Sequence, residues 1–280
     1  MILVTGAGNV GRHVVSQLHE AGAPVRVLTR HPELADVPKA VDVVGGDLSR
    51  ASESLGPFLD GVAAVFLIWP QPTADDPLAA VEIITQRVER VVYLSSSTVR
   101  DDLEHQAHPM TAIHADIEGA IERSGVDWTF LRVGKIATNT LGWAPQIAEG
   151  VVRLPFPGAG RSPIVESDIG AVAVRTLLDD GHVGEKHVLS GPEPLTEGDL
   201  VHTIGEAIGR SIRVEEIPPE VARAQLLQDG ASPEVADAAL ALWEGLVTEP
   251  EPVTPTVEEI TGSLGRTFRE WAVEHVSAFR

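Results

Sequence analysis

Cysteine is absent from this 280-residue sequence, which contains ten histidines and a single tyrosine. The lack of cysteine excludes disulfide bonds, thiolate metal sites and cysteine nucleophiles. The histidines are scattered, and no two of them have the spacing of a helical zinc motif such as HExxH. The sequence therefore predicts no metal site. Its single tyrosine, Tyr93, lies among apolar neighbours in the sequence.

Long apolar runs are also missing. The longest, residues 62–69, has the length of a strand and is too short to cross a membrane. The N-terminal MILVTGAG has no basic residue before its apolar part and no small-residue cleavage site, unlike a secretory signal. We therefore expect a cytoplasmic protein with no membrane partner.

Basic residues are few, with 21 lysines and arginines against 41 acidic residues and a formal net charge of −20. A nucleic-acid or anionic membrane surface needs a basic patch on its partner, so neither is an expected partner. We interpret the acidic excess as a solvated surface. Any anionic ligand must then be held by local features of the fold.

Strand-length apolar runs alternate with segments of helical period in the first half of the chain. The runs are residues 2–5, 25–28, 41–44, 62–68, 91–94 and 128–131. The main helical segments are residues 10–18, 77–88 and 113–123, the last closed by Ser124-Gly125. This succession predicts an α/β fold, a Rossmann-type doubly wound parallel sheet. A further apolar run at residues 187–189 predicts one later return to the sheet edge.

The pattern changes after residue 132. We expect an NAD(P)-binding Rossmann domain over 1–190, with a loop and short hairpin excursion at about 135–163. A smaller, mostly helical substrate-binding region over 191–280 follows. Its helix starts include an N-cap at Thr196 and a capping box at Thr267 and Glu270. An apolar helix at residues 235–247 predicts either a homodimer interface or a cap over the pocket.

The first strand and first helix are joined by a turn with the pattern G-x-G-x-x-G. In such a turn the first glycine makes the bend, the second lets the backbone approach a diphosphate, and the third packs helix on strand. The helix start offers free N–H groups and a positive dipole end to the anion. The predicted dinucleotide contacts are Thr5, Gly6, Gly8, Asn9, Val10 and Gly11.

The end of the second strand selects the form of the dinucleotide. An NAD-binding protein presents an acid there to the ribose 2′-hydroxyl, whereas this chain has Leu28-Thr29-Arg30-His31. Arg30, together with Arg12 at the start of the first helix, is suited to a 2′-phosphate. NADPH is therefore the predicted cofactor.

Four segments give the chain a family resemblance over nearly its whole length. They are the glycine turn, Gly46-Asp47-Leu48, Tyr93-Leu94-Ser95-Ser96, and residues 124–132, SGVDWTFLR. The sequence resembles the NmrA-like group of atypical short-chain dehydrogenase/reductases, which includes NAD(P)-binding proteins and quinone reductases. The resemblance implies cofactor contacts along one edge of the sheet. They are Asp47 and Leu48 at the adenine, Ile68 and Trp69 along the cofactor, and Val133 and Gly134 at the nicotinamide. Ser95 and Ser96 are further predicted cofactor contacts, and His114 is expected near the nicotinamide ribose.

The sequence departs from that family in two ways. The glycine turn is one residue shorter than the usual G-x-x-G-x-x-G. The tyrosine and lysine of the Y-x-x-x-K motif that typical family reductases use fall on Met110 and His114. The usual proton donor is therefore missing.

This loss favours some acceptors over others. Hydride transfer is chemistry of the nicotinamide itself, and the protein must align the two reactants. A quinone gives a stabilised oxyanion that takes protons from solvent, whereas a simple ketone needs a positioned acid. We therefore expect an NADPH-dependent reductase of a quinone or similar conjugated or aromatic small molecule.

Several residues are candidates for the reaction site. His114 and Lys135 are the catalytic candidates, as a proton donor and as a group that polarises a substrate oxygen. Ser97, Asn139 and Trp143 are the substrate-binding candidates. The alternatives are a helix-surface histidine, an exposed loop lysine and a core tryptophan.

Two other functions stay open at this point. Some NmrA-like proteins bind NADP(H) without turnover and act as redox sensors, and the missing tyrosine and lysine suit that role too. A sensor distinguishes NADP+ from NADPH and oxidises neither, whereas an enzyme consumes NADPH with some acceptor. A nucleotide-sugar epimerase or dehydratase is disfavoured because it needs the absent tyrosine.

Overall fold

A parallel sheet of seven strands forms the centre of the computed structural model, which describes residues 1–48, 55–69 and 77–280. Within these residues, four further strands lie outside this sheet. The strands are β1 (Ile2–Val4), β2 (Val25–Thr29), β3 (Asp42–Gly45), β4 (Ala64–Leu67), β5 (Arg90–Ser96), β6 (Asp127–Val133), β7 (Val151–Leu154), β8 (Gly160–Arg161), β9 (Glu185–Leu189), β10 (Leu195–Thr196) and β11 (Arg213–Glu216).

The order of the main sheet is β3-β2-β1-β4-β5-β6-β9. Ile2 of β1 pairs with Val25 on one side and with Ala64 on the other, so the order reverses between β1 and β4. In such sheets ligands bind beyond the carboxyl ends of the strands at this reversal. The predicted doubly wound sheet and its one later edge strand, β9 beside β6, are confirmed.

Helices cover both faces of this sheet. The helices are α1 (Gly11–Glu20), α2 (Pro77–Thr85), α3 (Pro109–Ser124), α4 (Ala144–Glu149), α5 (Glu166–Leu178), α6 (Glu197–Ile208), α7 (Pro219–Gln228), α8 (Pro233–Thr248), α9 (Thr256–Thr261) and α10 (Phe268–Glu274). Leu18 of α1 and Val172 of α5 are buried in one apolar core, whereas Ile84 of α2 and Ile117 of α3 are buried in the other. Alternate residues of each strand supply the two cores, as expected for strands buried on both faces.

The excursion at 135–163 contributes a 3-10 segment (Ala137–Trp143), α4, β7 and β8. β7 pairs in parallel with β11, and β8 pairs antiparallel with β10. The predicted hairpin is therefore wrong, since both strands pair with partners from the C-terminal region. Local turn residues signal a bend, but they do not determine which distant strand completes the pair.

A third apolar core joins the excursion to the C-terminal helices around the fully buried Trp271. The buried carboxylate of Glu166, at the start of α5, accepts hydrogen bonds from Trp271 Nε1 at 3.0 Å and from the backbone N–H of Thr138 at 2.7 Å. The capping box of Thr267 and Glu270 is confirmed, and Thr196 caps α6 through a capping box with Asp199. Within the described residues, none of the helices has the length and apolarity to span a membrane.

Candidate functional site

The glycine turn lies between β1 and α1, as predicted. A Cβ added to Gly11 would lie 1.9 Å from the carbonyl oxygen of Gly6, so close packing of helix on strand requires glycine at this position. A Cβ added to Gly8 would have no described atom within 4 Å. Packing within the protein therefore does not account for Gly8, whereas a ligand resting against its backbone would.

A cavity of about 210 Å³ opens in front of this turn. It brings together residues from the ends of β1, β2, β3 and β4. Its lining is Thr5, Gly6, Ala7, Gly8, Leu28, Thr29, Arg30, His31, Gly46, Asp47, Leu48 and Ile68. Most of the residues predicted for the adenosine half of the cofactor thus lie around one cavity.

The start of α1 has features that suit an anion. Its N-cap, Val10, makes no side-chain capping bond, and its first turn has no acidic residue. Next along the helix, Arg12 has a buried Nε without a hydrogen-bond partner among the described residues. A buried unpaired guanidinium nitrogen is unfavourable alone, so a phosphate oxygen would satisfy it. Arg12 does not line the 210 Å³ cavity, although Arg30 does.

Two predicted cofactor contacts, Trp69 and Asn9, do not line this cavity, and the hydroxyl of a third, Thr5, is bonded within the protein. The Thr5 hydroxyl accepts a bond from the backbone N–H of Ile68 at 2.8 Å, so it joins the ends of β1 and β4. Trp69 is buried in the core with α2 and α3 and does not line the cavity. Asn9 is exposed in the glycine turn.

A second cavity, of about 430 Å³, lies beyond the ends of β5 and β6. We call it the acceptor cavity. Its lining is Ser96, Thr98, His108, Met110, Thr111, His114, Val133, Gly134, Lys135, Asn139, Trp143, Arg161, Leu242, Trp243 and Glu251. Both residues that replace the Y-x-x-x-K pair, Met110 and His114, therefore face one space with Lys135, Asn139 and Trp143.

The serines at the end of β5 separate into different environments. The buried hydroxyl of Ser95 donates to Glu118 at 2.5 Å, and Glu118 also binds the buried Arg132. Ser95 is thus part of a buried polar network away from the cavity lining. Ser97 does not line the acceptor cavity, where Thr98 is found instead. The backbone N–H of Ser97 donates to the carbonyl of Val133 at 2.9 Å.

His114 makes a hydrogen bond to the tyrosine. Its Nδ1 lies 2.7 Å from the hydroxyl of Tyr93, which is fully buried in β5. Burial raises the pKa of the Tyr93 phenol well above its usual value, and the Glu118 carboxylate acts in the same direction. Burial lowers the pKa of His114 to about 4. The imidazole is therefore neutral at pH 7. The sequence-based prediction assumed that it titrates near neutrality, and burial shifts the pKa away from that range.

The side chain of Lys135 is nearly buried, and it is not the exposed loop residue that was its alternative. Its Nζ lies 2.7 and 2.9 Å from the two carboxylate oxygens of Glu197 and 4.7 Å from the ring centre of Trp143. Arg161 binds the same carboxylate at 2.7 Å and the carboxylate of Glu251 at 2.9 Å. Burial lowers the pKa of Lys135, and Glu197 opposes this. Two cations and two carboxylates thus form a buried cluster at the cavity.

Sequence reasoning missed part of the cavity wall. Arg161 and Glu251 reach it from the excursion and from the segment after α8, and neither lies in a recognisable motif. Leu242 and Trp243 belong to α8, the apolar helix that predicted either an interface or a cap. Their position in the cavity wall favours the cap. A homodimer stays a prediction.

Comparison with known proteins identifies the chain's relatives. A family model described as the NmrA-like family matches residues 1–272. The chain belongs to the NmrA-like family. In this NmrA-like protein the resemblance first indicated by four segments therefore extends over nearly the whole sequence.

Two curated relatives of this NmrA-like protein are named as reductases. One, from Streptomyces griseus, is a (4-alkanoyl-5-oxo-2,5-dihydrofuran-3-yl)methyl phosphate reductase, 40% identical with 100% of this chain and 99% of the relative covered. The other is an NAD(P)H azoreductase from Xenophilus azovorans, 30% identical, with the same shares covered.

A solved structure with the same fold is an NADPH-dependent quinone oxidoreductase from Escherichia coli complexed with NADPH. It is 21% identical, with a TM-score of 0.79 and coverage of 98% of this chain and 99% of that one. At this identity the likeness shows the fold.

Proposed function

We propose that this NmrA-like protein is an NADPH-dependent reductase that transfers hydride to a conjugated small molecule such as a quinone. The observation that carries the proposal is the placement of two cavities along one edge of the sheet. The 210 Å³ cavity in front of the glycine turn, here called the glycine-turn cavity, lies beyond β1 to β4, and the acceptor cavity lies beyond β5 and β6. The reversal of strand order between β1 and β4 lies at the glycine-turn cavity, and a dinucleotide would extend from there to the acceptor cavity.

The residues present fit the cofactor. The open face of Gly8 and the uncapped start of α1 suit its diphosphate, and Arg30 in the same cavity suits the 2′-phosphate. Arg12, in the first turn of α1, is a second cationic residue at this helix start. When bound, NADPH would supply the hydride, and Val133 and Gly134 would border its reactive end.

The relatives' names support a conjugated acceptor. The S. griseus relative is named for a lactone ring whose C=C bond is conjugated to two carbonyl groups, and the X. azovorans relative for azo compounds. Addition of hydride to such a system gives an anion whose charge is delocalised onto oxygen or nitrogen. One proton from solvent or a protein donor then completes the reduction of a C=C or N=N bond, and the oxidised cofactor leaves as NADP+.

We infer that His114 acts as a neutral hydrogen-bond donor in this reaction. The protonated phenol of Tyr93 has no other acceptor among the described residues, so its O–H donates to Nδ1 of His114. This bond leaves the ring proton on Nε2. A neutral N–H in the cavity stabilises a developing anion without first having to take up a proton.

Oxidation of NADPH by a panel of acceptors tests the function directly. We expect purified protein to consume NADPH with quinones, enones or azo compounds and to leave simple ketones unreduced. Titration of His114 should not alter the rate between pH 6 and pH 8, because the pKa of this residue lies at about 4. Absence of NADPH oxidation with every conjugated acceptor, together with different affinities for NADP+ and NADPH, would instead favour the redox-sensor alternative.

Arg30 should select NADPH over NADH. Replacing Arg30 with alanine removes a charge-assisted hydrogen bond to the 2′-phosphate, and the affinity for NADPH should fall about 10- to 100-fold. Affinity for NADH, which lacks this phosphate, should stay the same. Calorimetric titration of both cofactors provides the measurement. An equal loss for the two cofactors would assign Arg30 a structural role.

A further inference from the structure

A narrow side pocket of about 110 Å³ extends from the acceptor cavity. Its lining is Lys135, Trp143, Leu154, Pro155, Phe156, Ala159, Arg161, Glu197 and Trp243. Four of these, Lys135, Trp143, Arg161 and Trp243, also line the acceptor cavity, so the two spaces adjoin each other at these side chains. A molecule that occupies the acceptor cavity can therefore extend into the side pocket.

The walls of the side pocket come from outside the seven-stranded sheet. Trp143 ends the 3-10 segment, Leu154 ends β7, Phe156 and Ala159 lie between β7 and β8, and Trp243 lies on α8. Leu154 and Ala159 are buried, and the three aromatic residues are half-buried. The side pocket thus has aromatic and aliphatic walls, as small-molecule sites commonly have.

The charged groups of the side pocket are paired with each other. Lys135 and Arg161 share the carboxylate of Glu197, and Arg161 also binds Glu251. The side chains of all four are nearly buried, at 8 to 13% exposed. An ionic ligand group would have to break this neutral cluster, whereas an uncharged group would lie against its apolar neighbours without doing so.

We propose that the side pocket binds an apolar tail, an alkyl or aryl substituent carried by the conjugated group that reacts in the acceptor cavity. This substrate class rests on the proposed reductase function. The side chains shared by the two spaces, the apolar walls and the paired charges carry the proposal. The alkanoyl group in the name of the S. griseus relative agrees with it.

A series of 2-alkyl-1,4-benzoquinones with chains from methyl to pentyl tests the proposal. Each added methylene should raise kcat/KM about fourfold until the pocket is full, because burial of one CH₂ contributes this much. The gain in kcat/KM should appear mainly as a lower KM. If the quinones are reduced but kcat/KM does not depend on chain length, the tail site is overturned and the reductase function still holds.

Three variants distinguish binding of the tail in the side pocket from a general effect of acceptor hydrophobicity on kcat/KM. Ala159→Leu fills the pocket and should abolish the gain with chain length. Phe156→Ala removes one wall of the pocket and should weaken the gain, and it tests the site if the leucine variant does not fold. Ala241→Leu, which adds the same atoms on an exposed part of α8, should keep the full gain. A gain that persists in both pocket variants would contradict the proposal.

A binding experiment covers the case in which no acceptor is reduced. Calorimetric titration with the matching alkylhydroquinones measures tail binding without turnover. If affinity rises with chain length and the rise is lost in Ala159→Leu, the pocket binds apolar tails although the reductase function has failed. Affinity that is independent of chain length in the wild-type protein would overturn the tail site.

Discussion

Replacement of Gly8 with alanine is expected to lower the affinity for NADPH about 100-fold, because it displaces the diphosphate from charge-assisted bonds worth about 1.5 kcal/mol each. The folded protein should be unaffected. The added Cβ has no described atom within 4 Å, and the backbone of Gly8 does not have a positive φ. Calorimetric titration with NADPH and thermal unfolding of the free protein measure the two quantities.

Gly11→Ala is the matched control for this prediction. Its Cβ would lie 1.9 Å from the carbonyl oxygen of Gly6, so the first turn of α1 would have to move. This variant should lose stability even without cofactor, whereas Gly8→Ala should not. Unchanged NADPH affinity in Gly8→Ala would contradict the placement of the diphosphate at the glycine turn.

Replacement of Glu197 with alanine is expected to destabilise the protein by about 3 to 5 kcal/mol, the usual cost of removing one partner from a buried ion pair. Glu197 binds Lys135 and Arg161 together, and its side chain is 10% exposed. Its removal leaves two buried cations with Glu251 as their remaining carboxylate. The free energy of unfolding in urea measures the loss.

An exposed ion pair provides the control. Arg223 of α7 binds Asp237 of α8 through two hydrogen bonds, but both side chains are more than a third exposed. Asp237→Ala should therefore lower the free energy of unfolding far less than Glu197→Ala does. Similar losses for Glu197→Ala and Asp237→Ala would mean that water reaches the cluster, and the argument from paired charges in the side pocket would fail.

The sheet and the glycine turn could be predicted because their signals are local. Each strand of the sheet is a short apolar run, and each glycine role depends on residues within the same turn. The structure confirms the close packing at Gly11 and places Arg30, Asp47, Leu48 and Ile68 around one cavity. In a doubly wound sheet, residues that follow each strand lie at the same edge, so local patterns of this kind are enough to predict their positions.

The acceptor site was predicted less completely because distant segments assemble it. Arg161 and Glu251 are 90 residues apart, yet they bind each other at 2.9 Å. Their pairing depends on how the segment after α8 lies against β8, where the backbone N–H of Glu251 donates to the carbonyl of Gly160 at 3.2 Å, and no local periodicity determines such a contact. His114 could be placed because it occupies the lysine position of a known motif. Its bond to Tyr93 depends instead on how α3 packs against β5.

The hydrogen bond of Tyr93 makes the protein suited to spectroscopy. Since the sequence has one tyrosine, the ring resonances of tyrosine in an NMR spectrum arise from a single position. That position contacts the acceptor cavity through His114. A ligand that engages the imidazole should shift these signals, whereas one confined to the glycine-turn cavity should not. The protein thus contains an intrinsic, site-specific reporter that needs no label.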